Sequence, residues 1–98
     1  MEHTNVISLN SIVVRNDEKF MTSPVGDEIV MMSIESGNYI GINKVGADIW
    51  QKLENPISVG DLVNYLLENY DIAKEDCEQK TIKYLCDMLK EDMLIIIN

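Results

Sequence analysis

Residues 28–50 read EIVMMSIESGNYIGINKVGADIW, and this stretch decides the fold. Residues 29–34 are rich in strand formers. The ESGN segment that follows predicts a tight turn because Gly37 can take a positive φ without a Cβ penalty. The segment YIGI, residues 39–42, is a second short strand, and Asn43 directly after it can cap a helix. The apolar side chains of that helix would be Val45, Ile49, Trp50 and Leu53.

The second strand of this hairpin is expected at an edge of its sheet. Residues 38–42 would then turn unpaired backbone N–H and C=O groups outward, and they include no proline, lysine or other charged residue that would block pairing. Such an edge is either covered by the protein itself or open to another chain. Because Ile42 can meet the apolar side of the helix, Ile40 and Ile42 should face inward and Tyr39 should be partly exposed.

Length, charge and cysteine content limit the classes of function. The chain has 98 residues, which suits one domain, and its net charge is −9, which opposes binding to phosphate backbones and anionic membranes. No stretch is long and apolar enough for a membrane span, and the N-terminus has no signal-peptide pattern. Cys77 and Cys86 would lie on opposite sides of a helix, as reduced thiols. A cytoplasmic protein is expected.

The remaining pattern predicts a winged helix-turn-helix-like α+β domain. An N-terminal three-stranded antiparallel sheet comes first and three helices follow it. The second helix should begin at Ser58, which can cap it. The other expected elements are strands at 11–14 and 19–23, a turn at 24–27, a third helix at about 74–91 and an apolar segment, Met93 to Ile97, that either completes the sheet or covers the third helix. Residues 1–10 are expected to be flexible and 11–98 to form the single domain.

Catalysis, metal binding and DNA binding find no support in these residues. The sole histidine, His3, lies in the expected flexible segment. No serine lies in a nucleophile elbow, and no glycine-rich phosphate-binding loop or metal-ligand spacing is present. We therefore expect no enzyme activity and no cofactor. A DNA-recognition helix would need cationic side chains, whereas the third helix is net negative and has no arginine.

The third helix carries two apolar stripes at helical spacing. The first, assigned to the core, consists of Ile82, Leu85, Cys86 and Leu89. The second consists of Cys77, Thr81, Tyr84 and Met88. Two interpretations stay open: the stripes form one wide buried face, or the second stripe lines a groove beside the open strand. The groove would suit β-augmentation, in which a foreign peptide pairs with the strand and places side chains in neighbouring pockets.

The hairpin-to-helix segment resembles the PqqD-like family of peptide-recognition domains, and within it the stand-alone proteins of lasso-peptide gene clusters. The resemblance covers about residues 11–95. Its specific part is Ser-Gly-x-Tyr, then Asn-x-x-Gly, then Ile-Trp. The matching residues are Glu28, Val30, Glu35, Ser36, Gly37, Tyr39, Gly41, Asn43, Gly46, Ile49 and Trp50, with weaker matches at Val59, Leu62, Leu66, Tyr70, Leu85, Leu89 and Leu94.

The resemblance implies a non-catalytic adaptor for ribosomally made precursor peptides. Such a protein binds the leader of the precursor as an added antiparallel strand next to the third helix and presents it to a leader peptidase and a cyclase. We expect a monomer and a leader-binding site formed by Asn38, Tyr39, Ile40, Gly41, Ile42, Thr81, Tyr84, Leu85 and Met88. Alternatives are a peptide chaperone for a radical enzyme of pyrroloquinoline-quinone-type biosynthesis and a homodimeric winged-helix regulatory protein.

Overall fold

The structure is a computed structural model, and it describes residues 7–97. Six strands and three helices follow one another along these residues. Their bounds are β1 Ile12–Arg15, β2 Phe20–Val25, β3 Glu28–Ser33, β4 Tyr39–Ile42, α1 Lys44–Lys52, β5 Ile57–Ser58, α2 Val59–Asn69, α3 Lys74–Lys90 and β6 Leu94–Ile96. The α+β class, the three-stranded antiparallel sheet and the three helices that follow it are confirmed.

The predicted meander consists of β2, β3 and β4, in that order across the sheet. Strand β3 is central, and its Met31 lies opposite Thr22 of β2 and Ile40 of β4. One face of the sheet is turned to the core, where Met31 and Ile42 are buried. The other face is open, and the Tyr39 side chain there is 71% exposed. The expected inward direction of Ile42 and outward direction of Tyr39 are therefore confirmed.

The first predicted strand and the C-terminal segment form a second sheet. Its order is β5-β1-β6, and both outer strands run antiparallel to β1. Residues 93–97 thus neither join the meander nor simply cover α3. The reason is burial: Val13 of β1 and Leu94 of β6 are almost fully buried on the inner face of this small sheet.

Side-chain caps fix where the first two helices begin. The Asn43 side-chain oxygen accepts a hydrogen bond from the Gly46 backbone N–H at 3.0 Å, and Ser58 Oγ accepts one from the Asp61 N–H at 3.0 Å. Each cap satisfies a backbone donor that the first turn of a helix leaves free. Both caps are as predicted, and the first one makes α1 start within two residues of the end of β4.

The turn between β2 and β3 is shorter than the predicted 24–27. Strand β2 continues through Pro24 and Val25, and the chain reverses at Gly26 and Asp27, where Gly26 has φ +66°. Proline does not end β2 because β2 is an edge strand, where a residue without an N–H is tolerated.

The buried side of α3 differs from the predicted core stripe. Its buried residues are Cys77, Thr81, Leu85 and Met88, whereas Ile82, Cys86 and Leu89 are only half-buried against the core. Helix α3 packs against α2 and also against β6, so apolar side chains over a wide arc of its surface are covered. The residues of both stripes are thus buried or half-buried against the core, as the interpretation of one wide buried face predicts.

The described part of the N-terminal segment contacts the domain. Ile7 is 4% exposed, the Leu9 carbonyl accepts a hydrogen bond from the Gly60 N–H at 2.9 Å, and the Ser8 N–H donates to Ser11 Oγ. Residues 1–6, including His3, lie outside the described residues.

We predict that Gly46→Ala destabilises the fold by about 1–3 kcal/mol, because overpacking at a tight contact forces the neighbours to move. A Cβ at Gly46 would lie 2.6 Å from Ile42 Cγ2 and 2.7 Å from Tyr84 Oη. The matched control is Gly41→Ala, where nothing lies within 4 Å of the added Cβ. Urea unfolding should show a loss of stability for the first variant only; equal stability of the two variants would contradict the prediction.

Candidate functional site

The outer edge of β4 is the first component of the site. The Ser33 N–H donates to the Asn38 carbonyl at 2.9 Å, and these two residues continue the β3–β4 register. Paired and unpaired positions alternate along an antiparallel ladder. The peptide groups of Tyr39 and Gly41 therefore point away from β3. Among residues 7–97, no strand pairs with that side of β4.

The opposite edge of the meander differs from this one. The Ile34 N–H donates to the Lys19 carbonyl at 2.9 Å, so by the same alternation the main-chain nitrogen of Pro24 points out of the sheet at the β2 edge. Proline has no N–H to donate. The row of outward N–H donors is therefore interrupted at the β2 edge of the sheet. The β4 edge keeps its outward donors at Tyr39 and Gly41.

The side chains of β4 leave this edge accessible. Asn38, Tyr39 and Gly41 are exposed, Ile40 is half-buried and Ile42 is buried. A Cβ at Gly41 would meet nothing within 4 Å, and Gly41 has no positive φ, so neither packing nor backbone conformation within the described protein requires a glycine here. Because Gly41 has no side chain, a ligand or another backbone has space to approach the strand closely at this point.

A cavity of about 440 Å³ opens beside the end of β4. It begins at Asn43, directly after the strand, and lies between the start of α1, the end of α2 and one side of α3. Most of its lining is apolar and includes Val45, Ile49, Leu66, Tyr70, Ile72 and Tyr84. Clefts of this size and character are typical of ligand sites.

Two of the four predicted α3 residues line this cavity, and two do not. Thr81 and Tyr84 are part of the lining. Leu85 and Met88 are 0% and 4% exposed and belong to the hydrophobic core, because the middle of α3 is covered by α2 and β6. Burial raises the pKa of the Tyr84 hydroxyl, which stays protonated and can donate a hydrogen bond into the cavity.

A polar cluster at the rim of the cavity was missed by sequence reasoning. Asp48 Oδ2 accepts hydrogen bonds from the Tyr70 hydroxyl and from Lys44 Nζ, the latter at 3.2 Å. Lys44 Nζ also lies 3.1 Å from Tyr70 Oη and 5.3 Å from the centroid of its ring. The i,i+4 spacing of Lys44 and Asp48 was a visible signal, but nothing local connects them with Tyr70.

The three groups shift one another's proton affinity. The hydrogen bond from Tyr70 is the main cause that lowers the pKa of Asp48 below its usual value, and the ion pair with Lys44 adds to it. The bond to Asp48 in turn raises the pKa of Tyr70. Hydrogen bonds to Tyr70 and then Asp48 raise the pKa of Lys44. At neutral pH the cluster is therefore a carboxylate, an ammonium and a neutral phenol, which together fix the Tyr70 ring.

The described part of the chain holds no candidate metal site beside the cavity. No group of three or more His, Cys, Asp or Glu residues there could hold a metal ion, and Cys77 and Cys86 are free thiols. No helix within residues 7–97 is long and apolar enough to cross a membrane. What the arrangement offers is an open strand edge continuous with an apolar cavity.

Comparisons with known proteins agree with this architecture. The family model for coenzyme PQQ synthesis protein D (PqqD) matches residues 28–94, from the start of β3 into β6. The chain is also similar to a solved structure of TbiB1 in complex with the TbiA(beta) leader peptide, with a TM-score of 0.74 and 22% sequence identity. That similarity covers 83% of this chain and 93% of the other. No curated protein matches the chain.

We predict that the stabilising effect of Asp48 disappears in acid. Its pKa in the folded protein lies below the ordinary value of 3.8, so the ionised form stabilises the fold above about pH 4, and this contribution is lost as the pH falls through the folded-state pKa. The difference in unfolding free energy between wild type and Asp48→Asn should therefore shrink from pH 7 toward pH 2.

The control for this titration is Asp87→Asn, because Asp87 forms an exposed i,i+4 pair with Lys83. Exposed pairs of this kind contribute little to stability. Urea unfolding across the pH range should show a larger pH-dependent change for the Asp48 variant. Parallel curves for the two variants would contradict a stabilising role for the cluster.

Proposed function

Because the chain belongs to the PqqD family, we propose that it is a non-catalytic adaptor that binds the leader of a ribosomally made precursor peptide and presents it to processing enzymes. The observation that carries this proposal is the open edge of β4. The solved structure of TbiB1 with a leader peptide, which shares the fold, favours a peptide as the ligand.

The leader adds to β4 as a fourth, antiparallel strand of the meander. The outward peptide groups of Tyr39 and Gly41 pair with its backbone, which supplies affinity independent of leader sequence. Asn38 lies at one end of this row, and the side chains of Ile40 and Ile42 face the core side. Along α3, Thr81 and Tyr84 receive leader side chains, while Leu85 and Met88 support this wall from the core.

Charge favours a basic leader. The net charge of −9 includes acidic side chains along the whole chain, and the first turn of α3 contributes Glu75 and Asp76. Such a surface attracts lysine-bearing peptides and accelerates their encounter with the protein.

The partners that we propose downstream are the leader peptidase and the cyclase of a lasso-peptide pathway. The resemblance of Gly37, Tyr39, Gly41 and Asn43 to the pattern of stand-alone lasso-pathway proteins favours this pathway. The family name favours a second candidate, a peptide chaperone for a radical enzyme in pyrroloquinoline-quinone-type biosynthesis. In both, the protein itself performs no chemistry and acts in the cytoplasm.

A homodimeric regulatory protein is the alternative from another class, and the same open edge favours it, because β4 could pair with β4 of a second copy. We expect the purified protein to be monomeric at micromolar concentration, since an edge kept for a leader must be vacant. Size-exclusion chromatography with light scattering tests this. A stable dimer that Gly41→Pro dissociates would support the regulatory alternative instead.

We predict that Gly41→Pro abolishes leader binding and leaves the helices intact. The substitution removes the outward N–H of Gly41 and sets a ring against the incoming backbone, and it costs no β3–β4 hydrogen bond. Labelled leaders of precursor peptides encoded in neighbouring reading frames serve as probes in fluorescence anisotropy, and circular dichroism reports the helices.

The matched control is Thr22→Pro. Thr22 is exposed, and its peptide group also points outward, but at the β2 edge. This variant should bind the labelled leader like wild type. Undiminished binding by Gly41→Pro would refute strand addition at β4.

A further inference from the structure

The outer face of the β2–β3–β4 meander, the side turned away from the core, is apolar and uncovered. Met21, Met32 and Tyr39 lie opposite one another on its three strands and form a row across the sheet. The Met21 and Tyr39 side chains are 58% and 71% exposed, so nothing within residues 7–97 covers this row. Exposed apolar side chains that are contiguous, rather than scattered, mark a site of interaction.

The apolar character continues along the strands from this row. Val30 of β3 points to the same face, between Ser23 and Gly41, and Val25 of β2 is 57% exposed. Val30 and Met32 are half-buried, but neither is among the side chains that pack against the hydrophobic core. Both therefore belong to the outer face and contribute to its apolar surface.

Charged residues lie at the ends of this face and not within it. Among the outward residues of the three strands, only Glu28, at the start of β3, is charged. Asp27 in the β2–β3 turn lies next to it, and Glu35 lies in the turn that follows β3. The nearby Lys19 is paired with Asp92 at 3.6 Å. The outer face thus has an uncharged apolar centre and an acidic border.

We propose that the outer face is the docking surface for the processing enzyme that receives the peptide, and that this enzyme contacts it with an apolar patch bordered by lysine and arginine side chains. The inference rests on the proposed function, because an adaptor holds its peptide and its enzyme on different surfaces. An uncharged centre that includes methionine and tyrosine, with a polar rim, is the typical composition of a protein–protein interface.

The acidic border disfavours two other occupants of the outer face. Two copies packed face to face would bring their acidic borders together, on chains that each carry a net charge of −9. An anionic membrane surface would be repelled for the same reason. A partner with a basic border is instead attracted, and it reaches the face faster.

The outer face is continuous with the edge that we propose for the leader. Tyr39 ends the row across the sheet and lies on β4 itself. A strand added beside β4 would place one side chain opposite Tyr39 on the outer face, and the row would grow from three residues to four. The enzyme would then contact adaptor and leader together, so it should bind the loaded adaptor more tightly than the empty one.

The test measures enzyme binding and leader binding separately. The purified processing enzyme encoded beside this gene is titrated onto the immobilised full-length protein in surface plasmon resonance, with and without leader. Met21→Glu, which places a charge in the apolar row, should lower the affinity for the enzyme about tenfold or more. Labelled leader should bind this variant like wild type in fluorescence anisotropy, because β3 and β4 separate Met21 from the added strand.

The matched control for this variant is Ile95→Glu. Ile95 is an apolar residue of β6 in the other sheet and is 44% exposed, so the same charge is added to a strand outside the outer face. It should bind the enzyme like wild type. Circular dichroism confirms that every variant is folded.

A second pair of variants tests the acidic border. Glu28→Lys should weaken enzyme binding and reduce its dependence on salt, because it removes an attraction to the basic border of the partner. The matched control is Glu68→Lys, the same change at an exposed residue of α2. Equal effects of the two variants would overturn the charge match.

The outcomes separate the docking surface from strand addition. Enzyme binding by Met21→Glu at the level of wild type, an equal loss in Ile95→Glu, or no enzyme binding by wild type overturns the docking surface, and loss of leader by Gly41→Pro then leaves strand addition standing. Gly41→Pro that keeps the leader overturns strand addition, while loss of the enzyme by Met21→Glu still supports the docking surface.

Two further results would assign the outer face to another occupant and overturn the proposal. Loss of leader binding by Met21→Glu would assign it to the peptide. A wild-type dimer that Met21→Glu dissociates, seen by size-exclusion chromatography with light scattering, would assign it to a second copy.

Discussion

The β3–β4 register is the constraint on which the site depends. Backbone N–H and C=O groups must find partners, and in an antiparallel ladder each residue satisfies them on one side only. Because Met31 pairs with Ile40, the peptide groups at Tyr39 and Gly41 face away from the sheet. A register shifted by one residue would turn Ile42 out to solvent and Tyr39 into the core, so core packing fixes which donors are free.

The immediate transition from β4 to α1 joins this edge to the cavity. Asn43 ends the strand and caps the helix, so the first turn of α1 lies directly beside the edge. Because Gly46 has no side chain, Ile42 and Tyr84 can both pack closely against it. Helix α3, which carries Tyr84, therefore lies beside the same end of β4. The open strand edge and the cavity are thus adjacent because no linker separates the two elements.

Local chemistry made the hairpin, the two caps and the exposed Tyr39 predictable from sequence, since turn residues, capping residues and strand alternation act over a few positions. The β1–β6 pairing, the buried side of α3 and the Lys44–Asp48–Tyr70 cluster depend on contacts between residues distant in the chain. Leu85 and Met88 illustrate the difference. Their spacing placed Leu85 in the first stripe and Met88 in the second, but only the packing of α2 and β6 determines that both are buried in the core.

Pro24 determines how large an assembly of this sheet can become. If both edges of the meander accepted strands, each copy could join the next one head to tail and form an open-ended filament. With proline at the outer edge of β2, growth by β4 pairing is restricted to one direction. Growth through the β4 edge therefore stops after one addition, and the sheet does not become the start of a fibre.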